Sequence, residues 1–101
     1  MKGRERAELR AAAHHLDPTV HVGQQGLTPS LINSLDDALR TRELVKVKLG
    51  KKDDMKPKDV ANSLALATNS AVVQVIGRTA TLFRENRDME KNEAQLPPWR
   101  R

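Results

Sequence analysis

The sequence has no cysteine, no long apolar run and no apolar beginning, and each absence excludes a class of protein. Without cysteine, disulfide frameworks, zinc–thiolate sites and thiol catalysis are ruled out, and a reducing compartment is expected. No stretch approaches the ~18 consecutive apolar residues of a membrane-spanning helix. Residues Met1 to Arg6 carry mixed charge, which does not predict a signal peptide. We therefore expect a cytoplasmic protein without a membrane partner.

The motifs that mark enzymes and metal sites are also missing. No serine lies in a nucleophile elbow, no acid–histidine–serine set is visible, and no Gly-rich loop for a nucleoside triphosphate is present. His14, His15, Asp17 and His21 do not have the spacing of a standard metal site, and Pro18 separates them. We predict a protein that is not an enzyme and has no cofactor, no metal and no small-molecule substrate.

Aromatic residues are scarce, whereas positive charge is abundant. Phe83 and Trp99 are the only aromatics, too few for a module that stacks bases on a sheet. Lysine and arginine number 18 against 13 acidic residues, which gives a net charge of +5 and a pI near 10.0. A small basic domain favours a polyanionic partner, nucleic acid before membrane. An RNA ligand is therefore expected to be held mainly through its backbone and shape. The free protein is expected to be a monomer.

Hydrophobic periodicity divides the chain into helices and strands. Thr28 and Pro29 give the clearest helix start, because Thr28 suits the N-cap and the missing N–H of proline costs nothing at the first helical position. Gly77-Arg78, between two β-like runs, predicts a type II′ hairpin turn. The predicted helices run from Arg4 to Leu16, from Pro29 to near Arg42 and from Pro57 to Thr68; the predicted strands run from Thr19 to Val22, Leu44 to Leu49, Ala71 to Ile76 and Thr79 to Arg84.

The element order α-β-α-β-α-β-β predicts an α/β (α+β) two-layer sandwich, with the helices on one face of a mixed four-stranded sheet. A single domain is expected over residues 1–87, followed by a polar, proline-containing tail over residues 88–101. The hairpin turn sets the expected strand pairs, which are Ile76 with Thr79, Gln74 with Thr81 and Val72 with Phe83. The inner face is then predicted to hold Val73, Val75, Ala80 and Leu82; the outer face is predicted to hold Lys46, Lys48, Gln74, Thr81 and His21.

The stretch Gly23-Gln24-Gln25-Gly26 lies between the first strand and the second helix. If the first three strands are parallel, this G-x-x-G loop shares one sheet edge with the basic loop after Gly50 and with the Gly77-Arg78 turn. Ligands of open α/β sheets favour that edge. The helix starts at Thr28 and Pro57 open there too, and their N–H groups suit phosphate oxygens. The alternative is a tight strand-to-helix turn with no ligand, which glycine also suits.

This convergence predicts a set of RNA contacts. The uncharged side chains of the loop leave its backbone N–H groups to make contacts, while nearby lysines and an arginine supply positive charge. An alternative interpretation is that Lys51 and Lys52 belong to a solvated loop with Asp53 and Asp54. The predicted RNA-binding residues are Gly23, Gln24, Gln25, Gly26, Thr28, Lys46, Lys48, Lys51, Lys52, Lys56, Lys58 and Arg78.

Three stretches taken together, VHVGQQGLTPSLINSLDDAL, ELVKVKL and VVQVIGRTATLFR, resemble the CRM domain. This family is the RNA-binding module of chloroplast splicing factors and of bacterial YhbY-type ribosome-assembly proteins, and the similarity runs from about Arg6 to Arg87. The resemblance implies a KH-like fold similar to the C-terminal domain of translation initiation factor three. It also implies association with ribosomal RNA in precursors of the large subunit, and a role in ribosome assembly.

The resemblance places the family's RNA-contacting G-x-x-G loop on Gly23 to Gly26. Many family members carry a lysine between the glycines, where this chain has Gln24 and Gln25, so neighbouring lysines and arginines are expected to supply the charge. A different interpretation is a protein–protein adaptor that docks on a ribosomal protein or assembly factor through its tail. Its candidate contact is the segment from Leu96 to Trp99, which contains two prolines and the tryptophan.

Overall fold

The computed structural model describes residues 3–23, 26–50 and 56–85. Within these ranges the predicted order of elements is confirmed, with boundaries that differ by a few residues. No helix of the described ranges is long and apolar enough to span a bilayer. The elements are α1 (Gly3–Ala13), β1 (Val20–His21), α2 (Pro29–Arg42), β2 (Leu44–Lys48), α3 (Pro57–Thr68), β3 (Ala71–Ile76) and β4 (Thr79–Phe83).

The ends of α2 and α3 follow the local chemistry of the sequence. The Thr28 hydroxyl accepts the Leu31 N–H at 3.1 Å, and Pro29 occupies the first turn of α2. Asn69 ends α3 in the left-handed conformation at φ 54°, which asparagine tolerates better than most residues. At the hairpin, Gly77 has φ +57°, as the first position of a type II′ turn requires. The chain thus starts and stops these elements where capping residues allow it.

The sheet has the strand order β1-β2-β4-β3. β1 pairs with β2 in parallel, and β4 lies antiparallel to both β2 and β3. It follows that β1, β2 and β3 all run in the same direction, although β4 separates the last two. Their carboxyl ends meet at one edge of the sheet, as predicted, and we call this the carboxyl edge.

The main core lies between the sheet and the pair α2 and α3, which form the two predicted layers. Val45 and Val47 of β2 are buried there against Leu35, Leu39 and Leu64. These side chains define the inner face of the sheet. Burying a leucine or valine side chain in such a core stabilises the fold by about 1.5–3 kcal/mol.

A second, smaller core occupies the opposite, outer face. Leu9 and Ala13 of α1 pack against Leu44 and Val73 there. The expectation that all helices share one face is therefore wrong for α1. Leu44 alternates with Val45 along β2, so its side chain points outward and requires an apolar cover. α1 provides that cover at the amino-terminal ends of β2 and β3, leaving the outer face near the carboxyl edge uncovered by the helix.

A β-bulge in β3 changes the predicted hairpin register. Gln74 pairs with Thr81 as expected, but Val72 pairs with Leu82 instead of Phe83. Val73 is the extra residue, and it packs in the outer core with α1. Bulges place two successive side chains on nearly the same side. The predicted inward position of Val73 is therefore wrong, and Ala71 rather than Val72 lies opposite Phe83.

Arg84 connects both inner helices to the end of the sheet. Its Nη1 donates to Asp36 Oδ1 of α2 at 2.6 Å and to the Thr68 carbonyl of α3 at 2.8 Å. Its Nη2 donates to the Asp36 carbonyl at 3.0 Å, and its backbone N–H donates to the Glu43 carbonyl at 3.0 Å. The Arg84 side chain is 23% exposed, so these bonds are partly shielded from water. A planar guanidinium can serve all three acceptors at once.

Replacing Arg84 with alanine is expected to lower the free energy of unfolding by about 2 kcal/mol, because charge-assisted hydrogen bonds to both helices are lost. Urea denaturation measures the change. Arg40→Ala is the matched control, since its ion pair with Asp37 joins side chains that are 65% and 66% exposed. Exposed pairs contribute less than about 1 kcal/mol. Equal effects of the two substitutions would contradict the role given to Arg84.

Candidate nucleic-acid interface

The loop after β1 is a tight turn fixed at both ends. The Val22 N–H donates to the Lys48 carbonyl at 2.9 Å, which holds the entry to the loop against β2. The Gly26 N–H then donates to the Gly23 carbonyl at 3.1 Å, closing a four-residue turn. The Thr28 N–H donates to the Gly26 carbonyl at 3.1 Å and leads into α2. Gln24 and Gln25, two of the predicted contacts, lie outside the described residues.

The two glycines of this turn differ in what the fold requires of them. Gly26 has φ +76°, a conformation that residues with a Cβ rarely adopt. Gly23 is not in that region, and a Cβ added to either glycine meets no atom within 4 Å. Gly26 is therefore explained by the turn itself. Within the described residues no contact requires glycine at Gly23, which is exposed.

At the start of α2, the bonds among the described residues leave the Ser30 N–H for an anion. Pro29 has no N–H, and the Leu31 and Ile32 N–H groups are bonded to Thr28, the first to its hydroxyl and the second to its carbonyl at 3.0 Å. Ser30 occupies a first-turn position, where an N–H has no acceptor within the helix. Thr28 was predicted as an RNA contact, and it serves as the cap that presents the Ser30 N–H at the carboxyl edge.

The start of α3 brings lysines to the same edge. Lys56 is the N-cap residue and has no side-chain cap bond, and Pro57 follows it. Lys56 and Lys58 are both exposed, beside the exposed Asp59 of the first turn. The two lysines and the positive end of the helix dipole therefore lie together. Lys51 and Lys52, predicted as further contacts, lie outside the described residues.

Arg78 joins the hairpin tip to the end of β2. Its Nη1 donates to the Gly50 carbonyl at 2.8 Å, and its own carbonyl accepts the Leu49 N–H at 2.7 Å. These bonds hold the Gly77-Arg78 turn and the residues after β2 side by side. Arg78 is exposed, and a guanidinium carries five N–H donors. It can hold this edge together while its other donors face solvent.

The two lysines of the outer face differ in how far they are available to RNA. Lys46 is half-buried, and its Nζ donates to the Leu16 carbonyl at 3.2 Å, tying the segment after α1 to the sheet. Lys48 is exposed and pairs in register with His21 on one side and Thr79 on the other. Thr81, expected on this face, is buried at 1% exposure. Lys48 is thus available at the carboxyl edge, whereas the observed contact of Lys46 is structural.

A cleft of about 470 Å³ between β1 and α2 was not predicted from the sequence. Its helical side has residues at a spacing of three and four, the spacing of one helix face. A polar stripe at that spacing, next to the apolar stripe of α2, is the sequence signal that identifies it. The cleft is lined by Thr19, Val20, His21, Leu31, Ser34, Asp37, Ala38, Thr41 and Arg42.

The segment from Leu96 to Trp99, the candidate contact of the protein–protein adaptor, lies outside the described residues.

A family model described as the CRS1 / YhbY (CRM) domain matches residues 1–84. A Bacillus subtilis protein named "Probable RNA-binding protein YqeI" is 35% identical over 97 residues, which cover 96% of this chain and 99% of that protein. A Haemophilus influenzae protein named "RNA-binding protein" is 36% identical over 89 residues, covering 88% of this chain and 87% of its own.

The fold is shared with a solved structure. The solution structure of a hypothetical protein from Staphylococcus aureus, described there as a candidate RNA-binding protein, matches with a TM-score of 0.76 at 36% identity. The match covers 96% of this chain and 99% of that protein. The mixed four-stranded sheet with three helices is therefore the fold of that protein as well.

Proposed function

Because the chain belongs to the CRS1 / YhbY (CRM) domain family, we propose that it is a non-enzymatic RNA-binding protein that grips the RNA backbone at the carboxyl edge. Gly23 allows the RNA backbone to approach the chain closely. The Ser30 N–H at the start of α2 receives a phosphate oxygen. Lys56, Lys58 and Arg78 neutralise neighbouring phosphates, together with the two lysines of the loop after Gly50, and Lys48 adds positive charge beside these five contacts.

The observation that supports this proposal best is the meeting of three segments at one sheet edge. The Gly23–Gly26 turn, the start of α3 and the Gly77-Arg78 turn come from distant parts of the sequence, yet β1, β2 and β3 end together. Helix starts beside exposed cations form a site for phosphate oxygens. The relatives named as RNA-binding proteins support an RNA ligand rather than another polyanion.

Binding is expected to weaken steeply with salt. Five phosphate contacts, by Lys51, Lys52, Lys56, Lys58 and Arg78, give a log–log slope of about −3.5 on single-stranded RNA, at about 0.7 per contact. Fluorescence anisotropy with a labelled RNA over a series of KCl concentrations measures the slope. An affinity that does not change between low and high salt would contradict the electrostatic part of the proposal.

We further propose that the RNA is ribosomal, in precursors of the large subunit, and that the protein assists their assembly in the cytoplasm as a monomer. The resemblance of its motifs to ribosome-assembly members of the family supports this assignment. Crosslinking in cells, followed by sequencing of the bound RNA, tests it. Enrichment of large-subunit RNA is expected. Enrichment of messenger or transfer RNA without large-subunit RNA would overturn the assembly role and leave RNA binding itself in place.

A further inference from the structure

The cleft between β1 and α2 follows the free side of the edge strand. Val20 is buried and points to the inner face, while His21 is exposed and points to the outer face, yet both line the cleft. Side chains that point to opposite faces of a sheet line the same cleft only where that cleft runs along the free side of an edge strand. β1 is the first strand of the sheet and pairs with β2 alone. Backbone polar groups on its other side are therefore turned toward the cleft.

The position of the cleft connects it to the Gly23–Gly26 turn. That turn joins β1 to α2, so the helix runs back along the strand. Leu31 and His21 mark the end of the cleft near the turn, and Arg42 marks its other end. The 11 residue steps between Leu31 and Arg42 correspond to about 16 Å along the helix. A strand of RNA held at the turn has a path of that length beside it.

The chemistry of the cleft suits a base better than a phosphate. Leu31 and Ala38 give it an apolar wall, and Ser34, Asp37 and Thr41 place polar atoms among them. The carboxylate of Asp37 disfavours a phosphate at that point. Unpaired bases have apolar faces and a polar edge, and proteins that read single-stranded RNA recognise that edge by hydrogen bonds. The basic residues that line the cleft, His21 and Arg42, stand at its two ends. The other basic groups of the proposed interface lie at the carboxyl edge, where phosphates are expected.

We propose that this cleft receives the bases of single-stranded RNA whose backbone is held at the Gly23–Gly26 turn, and that Asp37 selects bases carrying an amino group. The proposal rests on the proposed function and adds a subsite and a ligand preference to it. Asp37 Oδ1 accepts from Arg40 Nη2 at 2.7 Å. A carboxylate has about four acceptor sites on its two oxygens, so Oδ2 accepts from the base. Cytosine offers N4–H₂ to a carboxylate, whereas uracil presents the acceptor O4 instead.

The first experiment compares cytosine with uracil. Labelled single strands of about 12 nucleotides, all C or all U, are bound to the protein at one salt concentration, a length that suits a single small domain. The C strand is expected to bind about tenfold more tightly. Asp37→Asn should reduce this ratio to less than about twofold, because an amide both donates and accepts. Asp59→Asn, the same charge change on α3, should leave the ratio as it is.

The second experiment fills the cleft. Ser34→Trp is expected to weaken binding of both single strands by about tenfold or more, while a duplex of the same length, whose bases are paired, binds as before. Asn33→Trp is the matched control, since Asn33 is exposed on the same helix and does not line the cleft. Thermal melting of both variants is run alongside. If Ser34→Trp melts far below Asn33→Trp, the C-to-U ratio of Asp37→Asn decides.

The outcomes distinguish a failure of the base-binding cleft from a failure of the proposed RNA-binding function. Equal binding of C and U strands by the unmodified protein overturns the subsite, and so does a C-to-U ratio that survives Asp37→Asn. Normal binding of single strands by a well-folded Ser34→Trp variant also overturns it. In each of these cases RNA binding at the carboxyl edge stands. A protein that binds none of these RNAs, duplex included, overturns the proposed function and the subsite together.

Discussion

Reversing the charge of Lys56 and Lys58 is expected to weaken RNA binding by roughly twentyfold or more at physiological salt, since two phosphate contacts are lost and two repulsions are introduced. Both side chains are exposed at the start of α3, so the change does not disturb the core. The salt dependence should become shallower at the same time, by about 1.4 in the log–log slope, at about 0.7 per contact. Anisotropy titrations of Lys56→Glu/Lys58→Glu at several salt concentrations give both quantities.

The control for this variant carries the same change in charge at a different place. Arg6→Glu/Arg10→Glu alters α1, which packs over the amino-terminal ends of β2 and β3 on the outer face. If RNA is held at the carboxyl edge, the α1 variant retains most of its affinity. A similar loss in both variants would mean that net charge alone drives binding. That result would contradict a localised interface.

Replacing Gly23 with valine is expected to weaken RNA binding by about tenfold or more without destabilising the fold. A Cβ at this position meets no atom of the described residues within 4 Å, its chain neighbours apart, and its backbone is not in the left-handed region. The free energy of unfolding should therefore change by less than about 0.5 kcal/mol. In the proposed complex the valine side chain instead occupies the space of the RNA backbone, so hydrogen bonds to a charged phosphate are lost, at about 1.5–3 kcal/mol each.

The paired variant Gly26→Val separates conformation from contact. Its φ of +76° makes a β-branched residue costly, by about 1–3 kcal/mol of folding stability. Urea denaturation should thus distinguish the two glycines, although both substitutions weaken RNA binding. A Gly23→Val protein that folds normally and binds RNA with unchanged affinity would show that the turn is only a connection between β1 and α2.

The features that could be predicted from the sequence are those decided by local chemistry. Thr28 and Pro29 specify the start of α2 because capping depends on a few adjacent atoms. Alternation along β2 identifies its two faces, and the Gly77-Arg78 turn fixes the first pairs of the hairpin. Strand direction then follows from connectivity, so the meeting of three loops at the carboxyl edge was also predictable.

The features that could not be predicted depend on contacts between distant segments. The bulge at Val73 arises where β3 faces both the inner core and α1, and no local signal distinguishes that residue from its neighbours. The position of α1 on the outer face requires knowing that Leu44 needs a cover. Arg84 and Lys46 look like any other basic residues in the sequence. Their acceptors, which include Asp36 and the Leu16 carbonyl, become apparent only once the fold brings them together.

The basic residues therefore fall into two groups with different expected effects. Arg84 stabilises the packing of α2 and α3, and Lys46 ties the segment after α1 to the sheet, so their replacement should change stability. Lys48, Lys56 and Lys58 are exposed toward the carboxyl edge, and their replacement should change RNA affinity. Arg78 belongs to both groups, because it bonds to Gly50 and remains exposed. A basic surface alone does not reveal this division.

RNA binding at the carboxyl edge is tested most directly by titrating the ¹⁵N-labelled protein with a short single-stranded RNA and measuring the amide chemical shifts. We predict that the largest changes occur at the carboxyl edge, at the amides of Gly23, Gly26, Ser30, Lys58 and Arg78. The amides of α1 near Leu9 and those on the exposed side of α3 near Leu66 should change least. Shifts that concentrate on α1 or on residues 88–101, with the carboxyl edge unchanged, would contradict the central claim that this edge holds the RNA.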